Sequence, residues 1–226
     1  MSKFFASPTN EWGDNAVKLT TAGIITVIVV IALLIIVSLI LRKKEHKSTK
    51  LTTKQLVYSS VAMALAVVTS MIKLMNMPMG GSITLLSMLF IVLIGYWYGP
   101  KVGIMTAVAY GLLQFVLEPI FYTIPQMLTD YPLAFGALGL SGFFTNQKHG
   151  LIKGYIVAVL GRYFFAFWSG FIFFGTYAAN YHMSAPIYSI LYNGAYLIPE
   201  AVITLIIIAL PPVAKALNYT KKMATE

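Results

Sequence analysis

Long apolar stretches separated by short polar segments run through the whole chain. The first, Ala22 to Leu41, has no charged residue and is as long as the roughly 20 residues that a helix needs to cross a bilayer. Six further stretches each predict a membrane-spanning helix: Gln55 to Met75, Ile83 to Tyr98, Val102 to Leu117, Met127 to Phe144, Leu151 to Tyr177 and Tyr196 to Leu217. The pattern therefore predicts an all-α integral membrane protein, with a six-helix core preceded by one extra N-terminal transmembrane helix.

The polar segments divide the chain into five parts. We predict an extracellular N-terminal segment (1–21), an anchor helix (22–41), a basic cytoplasmic linker (42–54), the six-helix core (55–217) and a cytoplasmic tail (218–226). The anchor helix is not expected to be a cleaved signal peptide, because no small-residue cleavage site precedes Arg42. Its richness in Ile and Val predicts that it faces lipid or a partner and does not line a site.

Composition and charge add an orientation to this picture. Hydrophobic residues make up 58% of the chain and charged residues only 10%, whereas soluble domains have roughly 25% charged residues. The net charge of +9 does not indicate nucleic-acid binding, because the basic residues concentrate in alternate loops. By the positive-inside rule the amino terminus is predicted outside and the carboxyl terminus in the cytoplasm, on the basis of Arg42, Lys43, Lys44, Lys47, Lys50, Lys54, Lys101, Lys148, Lys153, Lys215, Lys221 and Lys222.

Several kinds of chemistry are excluded by what the sequence lacks. There is no cysteine, and the three histidines are scattered, so neither a disulfide scaffold nor a metal site is predicted. No phosphate-binding loop, serine-nucleophile motif or zinc-protease motif occurs. The acidic residues Glu118, Asp130 and Glu200 show no spacing typical of paired acid–base catalysis. No cofactor is expected, and an enzyme has no positive support.

Asp130 is the strongest single indication of a site. It lies beside Tyr131 at the start of an apolar stretch without another charge up to Phe144, where an ionised group is costly unless it faces a cavity, a partner or a ligand. Gln126, four residues earlier, would share its helix face. The alternative is a helix-start acid that is favoured by the helix dipole and has no further role.

Aromatic and polar residues in the predicted outer half point to a ligand of a particular kind. Aromatic faces attract cations, and a carboxylate supplies a counter-charge, so a small, flat, cationic ligand would suit such a pocket. The alternative is a lipid-facing surface with an interfacial aromatic belt, and for the phenylalanines taken singly it is favoured. The residues concerned are Phe164, Phe165, Phe167, Trp168, Phe171, Phe173, Phe174, Tyr188, Tyr192 and Asn193.

Arg162, Glu200 and the pair Tyr188 and Asn193 carry local predictions. Arg162 lies inside a span and needs a partner, which could be Asp130 or a helix-end carbonyl, or else it contacts a ligand. Glu200 follows Pro199 and could be a first-turn acid of the last span. The spacing from Tyr188 to Asn193 does not place both on one helix face and predicts irregular backbone near them; the alternative makes them belt and cap residues.

Six sequence blocks resemble the thiamine-specific S component of energy-coupling factor (ECF) vitamin transporters. They occur in the family's order over Gln55 to about Leu217. The blocks are Met79-Gly-Gly-Ser-Ile-Thr-Leu85, Tyr98-Gly-Pro-Lys-Val-Gly103, Tyr110-Gly-Leu-Leu-Gln-Phe115, Asp130-Tyr-Pro-Leu-Ala-Phe-Gly-Ala-Leu-Gly139, Gly161-Arg-Tyr-Phe164 with Ser169-Gly-Phe-Ile-Phe-Phe-Gly175, and Ile187-Tyr-Ser-Ile-Leu-Tyr-Asn-Gly194.

The resemblance implies a six-helix membrane protein that captures thiamine from outside and docks on a transmembrane scaffold subunit with two ATPase subunits. It implies that small residues of the first core helix meet the scaffold, either Ser60 and Ala64 or Ala62 and Ala66. It also implies that the segment Gly80 to Thr84, including Gly81, closes over the ligand. The ligand-binding residues that the resemblance implies are Asp130, Tyr131, Tyr188, Asn193, Tyr110 and Phe174. Gln126 is added to them because it shares a helix face with Asp130.

The chain departs from that family's pattern at three positions. Asp130 stands where glutamate is frequent, Phe174 where a tryptophan is expected, and Ala166 where a histidine is expected. The alternatives are therefore an S component for another flat cationic heterocycle or a thiamine precursor, an autonomous cation transporter, or a membrane enzyme. Dependence of uptake on partner subunits would separate the first of these from the others.

Overall fold

The computed structural model describes residues 6–8, 17–19, 21, 51–77 and 81–226. Near the amino terminus, strand β1 (Ala6–Pro8) pairs antiparallel with β2 (Val17–Leu19). The predicted anchor helix and most of the basic linker lie outside the described residues, as does Gly80. Everything below concerns the part of the chain from residue 51 onward.

A bundle of helices forms this part of the chain. The regular helices are α1 (Thr53–Met71), α2 (Ser87–Tyr98), α3 (Pro100–Leu117), α4 (Ile124–Leu128), α5 (Ala134–Gly136), α6 (Gly150–Phe173), α7 (Ala185–Ala209) and α8 (Pro211–Thr225). A π-helix (Thr129–Leu133) joins α4 to α5, and 3₁₀ helices follow α5 (Ala137–Phe144) and α6 (Gly175–Tyr181). Within the described ranges, α1, α3, α6 and α7 are long and apolar enough to cross a membrane. The predicted all-helical membrane fold is confirmed.

Local sequence explains where the main helices begin. Thr52 and Gln55 form a reciprocal capping box at the start of α1. Gly99 separates α2 from α3 with a φ of +89°, which favours glycine, and Pro100 opens α3 with a preset φ. Pro211 likewise stands at the start of α8. These breaks define short connections, so consecutive helices stay next to one another.

Helix α2 is the buried centre of the bundle. Met88, Ile91, Val92 and Ile94 have no solvent exposure, and α2 packs against α1, α3 and the 3₁₀ helix 137–144. Because protein surrounds it, its 12 residues need not match the full thickness of a bilayer. Large apolar side chains on α1 instead point outward, as a lipid-facing or partner-facing surface requires; they are Leu56, Val57, Val61, Leu65, Val68 and Met71.

Glycines allow the backbones of three elements to touch. A Cβ atom on Gly103 of α3 would lie 2.5 Å from the Gly95 Cα of α2, and one on Gly139 would lie 2.3 Å from the Ile104 backbone nitrogen. Both distances are too short for any side chain, and the neighbouring atoms are backbone. Small residues therefore set the helix spacing here, as they commonly do in membranes.

Gly139→Ala is expected to destabilise the protein by about 1–3 kcal/mol, because α3 and the 3₁₀ helix must separate to admit a methyl group. Thermal unfolding of the purified protein in detergent measures this effect. Gly194→Ala is the matched control, since its Cβ would first meet the flexible Ile198 side chain at an ordinary 3.4 Å. Equal unfolding temperatures for both variants would contradict the role given to Gly139.

A β-hairpin connects α1 to α2, where the sequence predicts helix up to Met75 and again from Ile83. Strand β3 (Lys73–Asn76) pairs antiparallel with β4 (Ser82–Thr84), and Met77 N donates to Gly81 O across the turn at 2.7 Å. Strand pairing satisfies the backbone hydrogen-bonding groups of these two short segments. Hydropathy alone cannot distinguish such segments from the ends of helices.

The last two helices also differ from the prediction. Helix α7 begins at Ala185 and continues through Pro199 to Ala209, and α8 crosses the predicted boundary at residue 217. The first part of α7 resembles a loop in sequence because it contains polar residues. In the structure, Tyr188, Ser189 and Asn193 are buried inside the bundle. Helix α8 is fixed to the end of the bundle by Lys221 Nζ, which donates to Thr145 O at 3.0 Å.

Burial decides between the two predicted docking patterns on α1. Ala62 and Ala66 pack in the core with 6% and 0% exposure, so this chain itself covers them and the alternative pair, Ser60 and Ala64, is favoured. They lie on the face of α1 that α2 and α3 cover. Ser60 and Ala64 lie on the exposed face.

Candidate ligand-binding site

A cavity of about 400 Å³ lies at the end of the bundle that carries the hairpin. The hairpin, the end of α3, the π-helix, the second half of α6 and the first half of α7 all contribute to its wall. This volume is within the range of about 300–1,000 Å³ that is usual for small-molecule sites.

Most of the predicted site residues surround this single cavity. Seven of them line it, although they come from five different segments of the chain: Gly81, Tyr110, Asp130, Tyr131, Phe174, Tyr188 and Asn193. Gln126 does not line the cavity. It is fully buried behind Asp130.

Gln126 holds the Asp130 carboxylate in place by a hydrogen bond. The sequence predicts that these two side chains share one helix face. Gln126 Nε2 donates to Asp130 Oδ2 at 2.6 Å and to Ile120 O at 3.1 Å, while its Oε1 accepts from Tyr122 N at 3.0 Å. Asp130 itself lies in the π-helix, a distortion that often occurs at functional sites. Gln126 thus fixes Oδ2, and the Asp130 side chain lines the cavity.

Tyr131 fixes the loop that closes the cavity between α3 and α4. Its hydroxyl donates to Glu118 O at 2.7 Å and accepts from Ile120 N at 2.9 Å. The ring packs edge-on against Phe115 with 5.0 Å between centroids. Tyr131 therefore both lines the site and positions its rim.

A row of tyrosines on α7 forms one wall. Tyr188 stacks on Tyr192 with centroids 5.7 Å apart, and Tyr192 meets Tyr196 edge-on at 5.9 Å. Gly81 N donates to the Tyr192 hydroxyl at 3.0 Å, which ties the hairpin to this wall. A Cβ on Gly81 would lie 2.8 Å from that hydroxyl, so any larger residue requires the tyrosine side chains to shift.

Asn193 joins α7 to α6 beside the cavity. Its Nδ2 donates to Ser189 O at 2.9 Å and to Ala166 O at 3.2 Å, and its Oδ1 accepts from the Tyr196 hydroxyl at 2.7 Å. A ligand can therefore use the second lone pair of Oδ1, or must displace one of these bonds. The predicted irregular backbone between Tyr188 and Asn193 is wrong, because one unbroken helix brings both side chains to the cavity.

Arg162 lines the cavity, so its contact with a ligand stays a prediction. Its guanidinium lies over the Phe135 ring, 4.1 Å from the centroid, and is not in an ion pair with Asp130 in the described part of the chain. Desolvation strengthens such a cation–π contact.

The charges around the cavity leave an excess of one negative charge. Among the described lining residues, the cations are Lys73 and Arg162, and the carboxylates are Glu118, Asp130 and Glu200. Lys73 pairs with Glu118 at the rim, where both side chains are partly exposed. The cavity is therefore suited to a ligand with one positive charge.

Glu200 is not the first-turn acid that its position after Pro199 predicts. It lies deep within α7 and is 3% exposed. Its Oε2 accepts from Thr84 N at 3.1 Å and Thr84 Oγ1 at 2.8 Å, and its Oε1 accepts from Ser87 Oγ at 3.2 Å. Three donors thus compensate a buried carboxylate.

Several other lining residues carry no prediction as part of the site: Ser70, Gln114, Ser189 and Tyr196. The four-residue spacing of Tyr188, Tyr192 and Tyr196 could have indicated that they share one helix face. The sequence analysis does not use this spacing, because its last predicted helix begins only at Tyr196.

Two aromatic residues of the phenylalanine-rich segment of α6 agree with the lipid-facing interpretation, and Phe165, Phe167 and Phe171 are half-buried. Phe164 and Trp168 are exposed, and Phe173 is buried in the core; only Phe174 of the series lines the cavity. Phe174 packs edge-on against Tyr122 with centroids 5.3 Å apart. A hydrogen bond with the Tyr177 hydroxyl, together with partial burial, raises the pKa of Tyr122 to about 12, so this rim phenol is neutral at physiological pH.

The sequence and the fold were compared with known proteins. Residues 56–219, which include every lining residue named above, match the family of thiamine transporter proteins. The chain is 34% identical over 170 residues to thiamine transporter ThiT of Bacillus subtilis (strain 168), covering 68% of this chain and 85% of that protein. Its fold is similar to the solved structure of ThiT from Listeria monocytogenes, with a TM-score of 0.63 and 26% identity over 75% of this chain and 96% of that chain. The protein therefore belongs to the thiamine transporter family.

Proposed function

We propose that this protein binds thiamine, or a close analogue, in the cavity between the hairpin and α7. Thiamine joins a positively charged thiazolium ring to an aminopyrimidine ring. The observation that carries the proposal is the Asp130 carboxylate, which Gln126 holds at the wall of a cavity with aromatic sides. The protein is a membrane-embedded member of a transporter family and not an enzyme.

Charge and shape both favour a flat monovalent cation. The single excess negative charge of the lining complements a thiazolium ring, and the stacked Tyr188 and Tyr192 offer ring faces to a heterocycle. Both relatives with similar sequence or structure carry the name ThiT. Ala166 lines the cavity where the family's pattern has histidine, so a ligand ring finds less contact on that side.

We further propose that the protein works as the substrate-binding subunit of an ECF-type importer. The chain has no phosphate-binding loop, so ATP hydrolysis would be performed by two partner ATPases on a shared scaffold subunit. The exposed face of α1 around Ser60 and Ala64 is apolar and unpaired in the described chain, which suits docking on that scaffold.

The proposed orientation follows from charge. The carboxyl-terminal helix α8 carries Lys215, Lys221 and Lys222, which favours the cytoplasmic side. With the carboxyl terminus in the cytoplasm and the amino terminus outside, the cavity would open outward, where a vitamin is captured.

Isothermal titration of the purified protein tests the binding proposal. Thiamine is expected to bind without any partner subunit, and its isolated pyrimidine and thiazolium halves are expected to bind more weakly, since each fills only part of the cavity. If thiamine does not bind and another flat cation binds tightly, the proposal that thiamine is the ligand is wrong.

A further inference from the structure

Glu200 connects the floor of the cavity with the segment that covers it. That segment, called the lid below, is the hairpin with the turn into α2, and its described residues are 73–77 and 81–87. Glu200 accepts hydrogen bonds from Thr84, the last residue of β4, and from Ser87, the first residue of α2. The carboxylate itself is almost completely buried and belongs to α7, the helix that also carries the tyrosine wall.

The turn held by Glu200 contains a disfavoured backbone conformation. Leu86 has a φ of +63° and a ψ of +18°, in the left-handed region that residues with side chains seldom adopt. Such a conformation persists only where surrounding contacts fix it. Thr84 and Ser87 flank Leu86 on either side, and both are bonded to the same carboxylate.

Two other attachments among the described residues of the lid are expected to be weaker because of their environment. Lys73 pairs with Glu118 at the exposed rim, where solvent screens the charges. Gly81 N donates to the Tyr192 hydroxyl, a hydrogen bond between neutral groups. The bonds to Glu200 are buried and charge-assisted, and such bonds are roughly twice as strong as neutral ones.

We propose that Glu200 is a positioning residue that anchors the lid to α7 and thereby controls how fast a bound ligand leaves. It does so through Thr84 and Ser87, whose three hydrogen bonds use most of the acceptor capacity of the carboxylate. The identity of the ligand rests on the proposed function, whereas the anchoring of the lid does not.

Hydrogen–deuterium exchange of the ligand-free protein tests the anchor directly. In Glu200→Ala, amides of residues 82–87 are expected to exchange about 10- to 100-fold faster, because Thr84 N loses its acceptor. Glu200→Gln preserves shape and one acceptor, so a smaller acceleration is expected. Peptides from α3 and α6 should exchange as in the parent protein.

Thr204→Val is the matched control on α7. Thr204 is buried one turn after Glu200 and donates to Glu200 O, but it does not line the cavity. This variant perturbs the same helix without touching the lid, so exchange at residues 82–87 should stay within about twofold of the parent. Equal acceleration in Thr204→Val and Glu200→Gln would overturn the proposal.

Dissociation of bound thiamine tests the consequence. Chase experiments should show an off-rate about 10- to 100-fold higher in Glu200→Ala, with an on-rate within about threefold of the parent. If the parent protein does not bind thiamine, the proposed function fails while the exchange experiment still decides the role of Glu200. An unchanged off-rate in a variant whose lid exchanges faster would overturn the control of ligand release.

A double-mutant cycle identifies the contact through which Glu200 acts. Thr84→Val removes the hydroxyl donor from the lid side and keeps the core of α7 unchanged. If Glu200 acts through Thr84, the effects of Glu200→Gln and Thr84→Val on lid exchange should be less than additive. Fully additive effects, or faster exchange spread evenly over the whole chain, would contradict the proposal.

Discussion

Replacing Asp130 with asparagine is expected to weaken thiamine binding by about 2–5 kcal/mol, a loss of roughly 30- to several thousand-fold in affinity. Asparagine has nearly the shape of aspartate and can still accept the Gln126 bond, so the π-helix should keep its geometry. What is lost is the full counter-charge facing the ligand's cationic ring. Titration of the purified variant with thiamine measures the effect.

Glu118→Gln provides the comparison for Asp130→Asn. Glu118 also lines the cavity, but its side chain is 53% exposed and already paired with Lys73. An exposed ion pair contributes about 0–1 kcal/mol, so thiamine affinity should change by less than roughly fivefold. If Asp130→Asn binds as tightly as the parent, or if the two variants lose affinity equally, the assignment of the counter-charge to Asp130 is wrong.

Cells without the scaffold and ATPase subunits are expected to bind thiamine through this protein but to accumulate none. The sequence contains no phosphate-binding loop, and in the proposed mechanism the partner subunits supply ATP hydrolysis. Vesicles reconstituted with the protein alone, and with the complete set of subunits plus internal ATP, measure the difference. Accumulation above the external concentration by the protein alone would contradict the proposed partnership.

Hydropathy and charge predict the class of this protein because membrane insertion depends on them directly. The apolar runs give α3 and most of α1 and α6, and the isolated carboxylate at Asp130 identifies the centre of the candidate site. The spacing of Gln126 and Asp130 gives their hydrogen bond. These features arise from residues close in sequence, so local reasoning reaches them.

The features that sequence reasoning misses depend on contacts between distant segments. The polar start of α7 is stable as a helix because Asn193 bonds to α6, which nothing in its own sequence reveals. The sequence predicts Glu200 as a helix-start acid. Its hydrogen bonds come from Thr84 and Ser87, which lie more than a hundred residues earlier in the chain. The choice between the two small-residue faces of α1 likewise needs to know which face α2 and α3 cover.

A structure of the protein with bound thiamine tests the central claim most directly. The account predicts the thiazolium ring in contact with the Asp130 carboxylate, the ligand enclosed between the hairpin and the tyrosine wall of α7, and Tyr188 or Asn193 within contact distance. Thiamine bound outside this cavity, or inside it without contact to Asp130, Tyr188 and Asn193, would contradict the account.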